Sequence, residues 1–429
     1  MSRSAIFTTT ATLRQALIRV TVPFVLALFT TPAGAAERSI TAAELRTAIE
    51  GYWIGQLAGN YVGFPFENLY QEEPLPILVD RYYTFKDAEG SDLKIQLNDR
   101  RGYIRIMADA LGGSWSDDDS DIEFVYLHAM ELHGTDVTYE QIAAMWRAHI
   151  NRYIWSAARR ARDLMEEGLV PPATGSKEHN PFWYRITAQL MNEIFGVINP
   201  GMTGRAAERS LWGARILTDD WATDPTVFFG ILCSAAYFEK DVPTLVTMGM
   251  DGLAKDSPFR EGIADVIRWH GEHPDDWRAT RAQIHDKYYL RVRDFVVPDP
   301  FAGSVVNGLC AVAALLHGDG DWMKTVGIAT SMGYDCDNQA ATCGAIMAMV
   351  LGPGSIPERL TLEMPSRGRW TQPFNNTYIN YSRDGLPNFN RISDIVDRIL
   401  AIAEKEILAN GGSKTGDGPE AVYTVKADF

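Results

Sequence analysis

Residues 51–67 read GYWIGQLAGNYVGFPFE, and this segment decides the fold. Gly51, Gly55, Gly59 and Gly63 recur at every fourth position, which on an α-helix places them along one face. A face without side chains lets a second backbone approach closely. Pro65 then stops the helix, and a lone carboxylate, Glu67, stands just past its end. Upstream, Thr41-Ala42-Ala43-Glu44 has the form of a capping box that opens the same helix. Small residues at this spacing commonly serve packing alone, so the sharper signal is the placement of Glu67.

Helical periodicity continues along the chain at 122–132, 139–149, 157–167, 186–195, 206–217 and 226–238. It resumes at 242–250, 261–269, 277–288, 305–316, 322–331, 340–350 and 392–408. Strand candidates are few: 77–85, 293–297 and 377–381, with a short edge strand at 422–425. No repeat period or long flexible linker emerges, so 429 residues read as one large, mostly helical domain rather than several. The segment from Gly411 onward is polar and glycine-rich, and reads as a mobile tail.

The formal charge of −15 excludes the basic footprint that nucleic acid requires and disfavours anionic membrane surfaces. Arg3, Arg14 and Arg19 precede an apolar run at 20–29, and Ala33-Gly34-Ala35 supplies small residues for cleavage. That pattern predicts a secretory leader over 1–35 and an exported, periplasmic or secreted, product with no further membrane segment. The four cysteines show no metal-binding spacing and read as buried small hydrophobes.

Two acidic knots carry the chemistry. Ser116-Asp117-Asp118-Asp119 precedes one helical pattern, with Ser116 suited to the N-cap and the acids to the first turn. Asp335-Cys336-Asp337-Asn338 precedes another that is rich in small residues. Carboxylates this crowded repel one another unless protons or cations neutralise them, and an all-oxygen set suits hard divalent ions. Each knot alone is also compatible with ordinary helix-start chemistry.

The order of the three pieces resembles the ADP-ribosylglycohydrolase family, which includes dinitrogenase-reductase-activating glycohydrolase and the ADP-ribosyl-acceptor hydrolases. The likeness spans residues 42–352. It implies an all-α, single large orthogonal helical bundle with few short strands, covering 36–410 as the catalytic domain, with 411–429 outside it. It also implies a site for two ions of Mg²⁺ or Mn²⁺. By that likeness Ser116, Asp117, Asp118, Asp335, Asp337 and Asn338 are metal ligands, and Glu67 and Asp118 are catalytic. Asn60 stands where the family has aspartate, Asn338 where it has Thr or Ser, and Asp119 is an additional acid. Asn60, Asp119, Trp115, Tyr334, Gln189 and Glu193 are candidate substrate contacts, and Trp53, Trp155 and Trp183 offer further rings for stacking. The Gln189–Gly196 region resembles an exported, glycosidase-like branch more than the ADP-ribose-directed one.

Three functions remain open on this reading. The first is an exported, metal-dependent hydrolase of a glycosidic bond acting on a sugar or small glycoside. The second is a true ADP-ribosyl hydrolase, and the third a catalytically silent, sugar-binding relative. The oligomeric state is not legible.

Overall fold

The described chain begins and ends in the same small sheet. Strand Ala36–Thr41 pairs antiparallel with strand Val422–Ala427, from Ala36 opposite Ala427 to Thr41 opposite Val422, and Ser413–Thr415 pairs on the other side. The structure is a computed structural model and describes residues 36–98, 112–289, 291–292, 295–296, 303–364 and 368–429. The expected leader lies outside the described residues, as does part of the 293–297 strand, of which Phe295–Val296 pairs with Arg291–Val292.

The expectation of a free tail after residue 410 is corrected here. Tyr423, Val425 and Ala427 alternate into the core, and Val422–Ala427 is the central strand of its sheet rather than an edge. A two-residue period with one apolar face is a buried-strand signal, and the polar turn before it masked that signal.

Helices dominate, and the fold is all-α with a few short strands. Thr41 caps the striped helix Ala42–Gly63, its hydroxyl accepting from the Glu44 amide while the Glu44 carboxylate accepts from Thr41 N–H. Two other helices, Ser304–His317 and Cys336–Leu351, are buried on nearly every face, as their continuous apolar and small-residue sequences require. Around them pack helices Thr203–Ala214, Asp224–Ala235, Val242–Asp251, Pro258–Glu272, Trp277–Ile284, Trp322–Ser331 and Ile392–Ala409.

Two expected elements take another form. Residues 77–83 run without strand pairing, because their backbone is held by a helix end: Val79 N–H donates to Ser331 Oγ at 3.0 Å and Leu75 N–H to Ser331 O at 2.9 Å. The 186–195 helix becomes a 3₁₀ turn, Ile186–Met191, and a short helix, Ile194–Val197, broken at Asn192. There the Ile194 N–H donates to the Glu123 carboxylate at 2.8 Å instead of to a carbonyl one turn back.

The glycine stripe meets helix Cys336–Leu351, and the two run antiparallel. A Cβ built on Gly51 would fall 2.4 Å from Ala348 O, on Gly55 2.3 Å from Gly344 O, on Gly59 2.1 Å from Ala340 O, and on Gly63 2.3 Å from Asp337 Cα. Backbone lies against backbone over four turns. This contact carries the end of one helix, with Glu67, to the start of the other, with Asp335 and Asp337. All four cysteines are buried and free, and no described helix is long and apolar enough to cross a membrane.

Candidate active site

At the mouth of this helix pair is a cleft of about 650 Å³ including its open end. Among the described residues, Glu67, Asp117, Asp118, Asp119, Asp335 and Asp337 line one side, with Asn68 beside them. Trp155, Ser156, Arg185, Ile186, Thr187 and Leu190 line the other.

Each carboxylate is placed by a local reason. Pro65 turns the striped helix into a 3₁₀ turn, Phe64–Phe66, which ends at Glu67. Gln96 then donates to Glu67 Oε2 at 3.2 Å. The Asn68 amide spans two acids, donating to Glu67 Oε1 at 2.8 Å and to Asp335 Oδ1 at 2.9 Å. Asn68 sits at φ +56°, a left-handed conformation that asparagine tolerates better than most residues. Asp335 is the N-cap of its helix, its N–H donating to Asn307 Oδ1 at 3.0 Å, and Asp337 lies in the first turn.

The first knot is a turn rather than the start of a helix. Strand Ser114–Trp115 pairs in parallel with Thr377–Ile379, and the helix begins only at Asp121 with Ser120 as N-cap. In the turn between them the Asp119 N–H donates to Asp117 Oδ1 at 3.3 Å, and the Asp121 N–H to Asp117 O at 3.0 Å. Ser116 is therefore not the cap; its hydroxyl donates to Asp117 O at 3.2 Å.

Two groups of three carboxylates result, and they share a member. Glu67, Asp335 and Asp337 bring oxygens within 4.8 Å of one another, as do Asp117, Asp119 and Asp337. Burial pushes Asp337 well above the usual carboxylate range, with Glu67, Asp335 and Asp117 adding repulsion. Burial likewise raises Asp119, and it lifts Asp117 to about 8 with help from the charge of Glu67. Asp118 belongs to neither group; burial and then Asp117 push it up, while Arg383 opposes them. Asp337 Oδ1 is buried and has no hydrogen-bond partner among the described residues, although carboxylates surround it. An all-oxygen set with an unsatisfied oxygen on the shared Asp337 suits divalent cations, so the residues present fit the metal that the resemblance implies.

The model of the ADP-ribosylglycohydrolase family, a family of hydrolases, matches residues 41–398, most of the chain. The chain belongs to that family. No protein of curated function matches the chain. Among solved structures, one described as an "ADP-ribosylglycohydrolase-related protein complex" superposes with a TM-score of 0.49 at 15% identity, covering 85% of this chain and 99% of that one.

In this family member the structure sorts the expected site residues into three sets. Glu67, Asp117, Asp118, Asp119, Asp335 and Asp337 meet in the cleft. Asn60 stands behind it, buried in the striped helix, and donates to Asp119 Oδ2 at 2.8 Å, so it orients an acid instead of touching substrate.

Ser116, Asn338, Trp115, Tyr334, Gln189 and Glu193 do not line the cleft. Asn338 Oδ1 accepts from Gln189 Nε2 at 3.3 Å inside the core. Glu193 is buried and accepts from Thr342 Oγ1 at 2.7 Å. Trp115 packs on Phe64 with ring centroids 5.3 Å apart. Tyr334 lies beneath Arg281, whose guanidinium is 4.6 Å from the ring, and its hydroxyl meets His285 Nδ1 at 2.8 Å. Trp115 and Tyr334 were expected near substrate because each abuts an acidic knot in sequence, whereas Gln189, Glu193, Ser116 and Asn338 were expected at the site from the family likeness. Beside the knots, the side chains of Trp115, Ser116, Tyr334 and Asn338 turn away from the cleft because consecutive residues point in different directions.

Of the further tryptophans, Trp155 alone lines the cleft. Asn68, Ser156, Arg185, Ile186, Thr187 and Leu190 were not foreseen. Asn68, next to Glu67, and Leu190, inside the Gln189–Gly196 region, were within reach of sequence reasoning; Ser156, Arg185, Ile186 and Thr187 lie on segments that carry no motif.

Proposed function

We propose that the protein is an exported hydrolase that cleaves a glycosidic bond in this cleft with the aid of two divalent cations, Mg²⁺ or Mn²⁺. The observation that carries the reading is the pair of three-carboxylate groups joined at Asp337, facing an open cleft. Export rests on the basic and then apolar character of residues 1–35.

When bound, such cations supply an anchor for vicinal sugar hydroxyls and make a nearby water more acidic. The chain's own residues do the remainder. Asp117, Asp119, Asp335 and Asp337 would hold the ions. Glu67, fixed by Asn68 and Gln96, takes the proton of the attacking water. Asp118 lies outside both groups, and burial raises its carboxyl above the usual range, which suits it to donate a proton to the departing oxygen. The positive charge that develops on the sugar ring is met by the surrounding carboxylates. Trp155, Ile186 and Leu190 add apolar surface to the lining against which a sugar ring can pack.

A second reading, hydrolysis of ADP-ribose linkages, is favoured by one observation: Arg185 and Trp155 share the cleft wall, and a guanidinium beside an aromatic ring suits a phosphate beside a base. The silent relative drew its support from Asn60 and Asn338, both of which lie outside the cleft lining.

The test is calorimetric titration of Mn²⁺ and Mg²⁺ into the wild type and Asp337→Asn, alongside cleavage of p-nitrophenyl glycosides and of ADP-ribosyl substrates. Loss of both cations in the variant is expected. Unchanged Mn²⁺ affinity in Asp337→Asn would refute the shared-ligand site, and tight, cation-dependent ADP-ribose binding would move the substrate to the second reading.

A further inference from the structure

The two sides of the cleft come from distant parts of the chain, and one buried side chain ties them together. The wall residues Trp155 and Ser156 follow an irregular segment, 150–155, in which Tyr153 has φ +50°, and Ser156 itself has φ +43°. Non-glycine residues in this region cost about 1–3 kcal/mol each, so the segment keeps its shape only if its surroundings impose it.

Arg162 holds the segment's start, donating to Ile150 O at 3.0 Å, and Arg383, whose side chain is fully buried, holds its middle. Arg383 Nη1 donates to Arg152 O at 2.8 Å and its Nη2 to Tyr153 O at 3.0 Å, gripping the strained segment by two successive carbonyls. The same guanidinium lies 2.6 Å from Asp121 Oδ1, and Asp121 opens the helix that follows Asp117, Asp118 and Asp119. Ser382 Oγ donates to the other Asp121 oxygen.

Around this centre the turn is itself fixed. Asn380 Oδ1 accepts from the N–H groups of Ser382 and Arg383 at 3.3 and 2.9 Å. Nearer the surface, Asp384 pairs with Arg152 at 2.9 Å and accepts from Asn151 Nδ2 at 2.9 Å. From the wall, Ser156 Oγ accepts from Arg185, so the chain of contacts runs from the acids to a guanidinium that lines the cleft.

We propose that Arg383 is a positioning residue that sets the Trp155–Ser156 wall against the carboxylate side of the cleft, and so governs how tightly the cleft grips the group attached to the sugar. Its effect on substrate rests on the glycoside-hydrolase reading; its effect on the wall does not.

Arg383→Lys tests this, because it keeps a positive charge beside Asp121 while a single ammonium cannot reproduce the fork to two carbonyls. Three results are expected from the full chain. Amide hydrogen exchange in 150–156, followed by mass spectrometry, accelerates about tenfold or more. Mn²⁺ affinity by calorimetry stays within about twofold, because the acids are undisturbed. For the best substrate in a panel of p-nitrophenyl glycosides, KM rises about five- to tenfold while kcat stays within about twofold.

Asp384→Ala loosens the same segment from the surface without stranding a buried charge, and should shift exchange and KM in the same direction by less. It decides the matter if the lysine variant fails to fold. Unchanged exchange in 150–156 in a folded variant would overturn the proposal, as would a fall in kcat at constant KM. If the wild type cleaves no glycoside in the panel, the glycosidase reading fails, and the exchange measurement still decides the role of Arg383.

Discussion

Replacing Gly59 with alanine should damage both the fold and the cation site, although alanine is the better helix former. In isolation the change favours a helix by about 1 kcal/mol. Here the new methyl carbon would sit 2.1 Å from Ala340 O and 2.6 Å from Ala340 C, both backbone atoms of the facing helix. Ordinary contact begins at 3.4 Å, so the helices must part by about 3.4 − 2.1 = 1.3 Å. Overpacking of this kind costs about 1–3 kcal/mol or more, which outweighs the propensity gain. The same separation moves Glu67, at the end of one helix, away from Asp335 and Asp337 at the start of the other. Geometry this loose should weaken Mn²⁺ binding by about tenfold or more.

Gly271→Ala is the matched control. It too lies in a helix, Pro258–Glu272, but nothing stands within 4 Å of its added carbon. Thermal unfolding should place Gly59→Ala several degrees below the wild type and Gly271→Ala at or slightly above it, with Mn²⁺ calorimetry altered only in the former. A Gly59→Ala protein that melts with the wild type and binds Mn²⁺ equally well would refute the claim that the stripe sets the site.

Three further outcomes are expected. Asn68→Ala removes two hydrogen bonds to carboxylates and should lower kcat by about tenfold or more; Asn68→Asp, adding a seventh acid to the cleft, should be worse, and equal activity of both variants with the wild type would exclude the bridging role. For Asp117, the unfolded chain releases the proton near pH 4 while the folded, cation-free protein keeps it until about 8, so ionisation opposes folding progressively across that window. In EDTA, the melting-temperature advantage of Asp117→Asn over the wild type should therefore grow from pH 5 to pH 8, and an advantage that shrinks would contradict the burial argument. Burial and nearby Glu123 raise the Glu193 carboxyl above its usual range, favouring the neutral form, so Glu193→Gln should leave stability and cleavage nearly unchanged, whereas Glu193→Ala should cost about 2 kcal/mol or more through a cavity and an unpaired Thr342 hydroxyl. Loss of activity in a stable Glu193→Gln protein would return that residue to the substrate site.

Local signals were the legible ones. The capping box at Thr41 and Glu44, the stripe from Gly51 to Gly63 and the stop at Pro65 each act within a turn or two of chain, and each took the expected form. The small residues after Asp337 announced a close helix contact, and the structure supplies the partner. Ser116 was misread because the strand before it pairs with Thr377–Ile379, about 260 residues away, which delays the helix to Asp121. Which two of three successive aspartates face a common point depends on the path of that turn, and the answer is Asp117 and Asp119, with Asp118 outside the group.

The sequence by itself determined most of the helices, where the striped one ends, and that Glu67 and two acidic knots were the carboxylates to bring together. Those outcomes depend on periodicity, capping and charge, all of which are written in neighbouring residues. Only the tertiary structure decided that Asp337 is shared between two carboxylate groups, that Asn60 and Asn68 orient acids, and that Arg383 holds the opposite wall. The reason is physical: side chains one position apart diverge, while those hundreds of residues apart meet wherever two backbones can close on each other. Along the glycine stripe that approach is limited by the backbone atoms themselves.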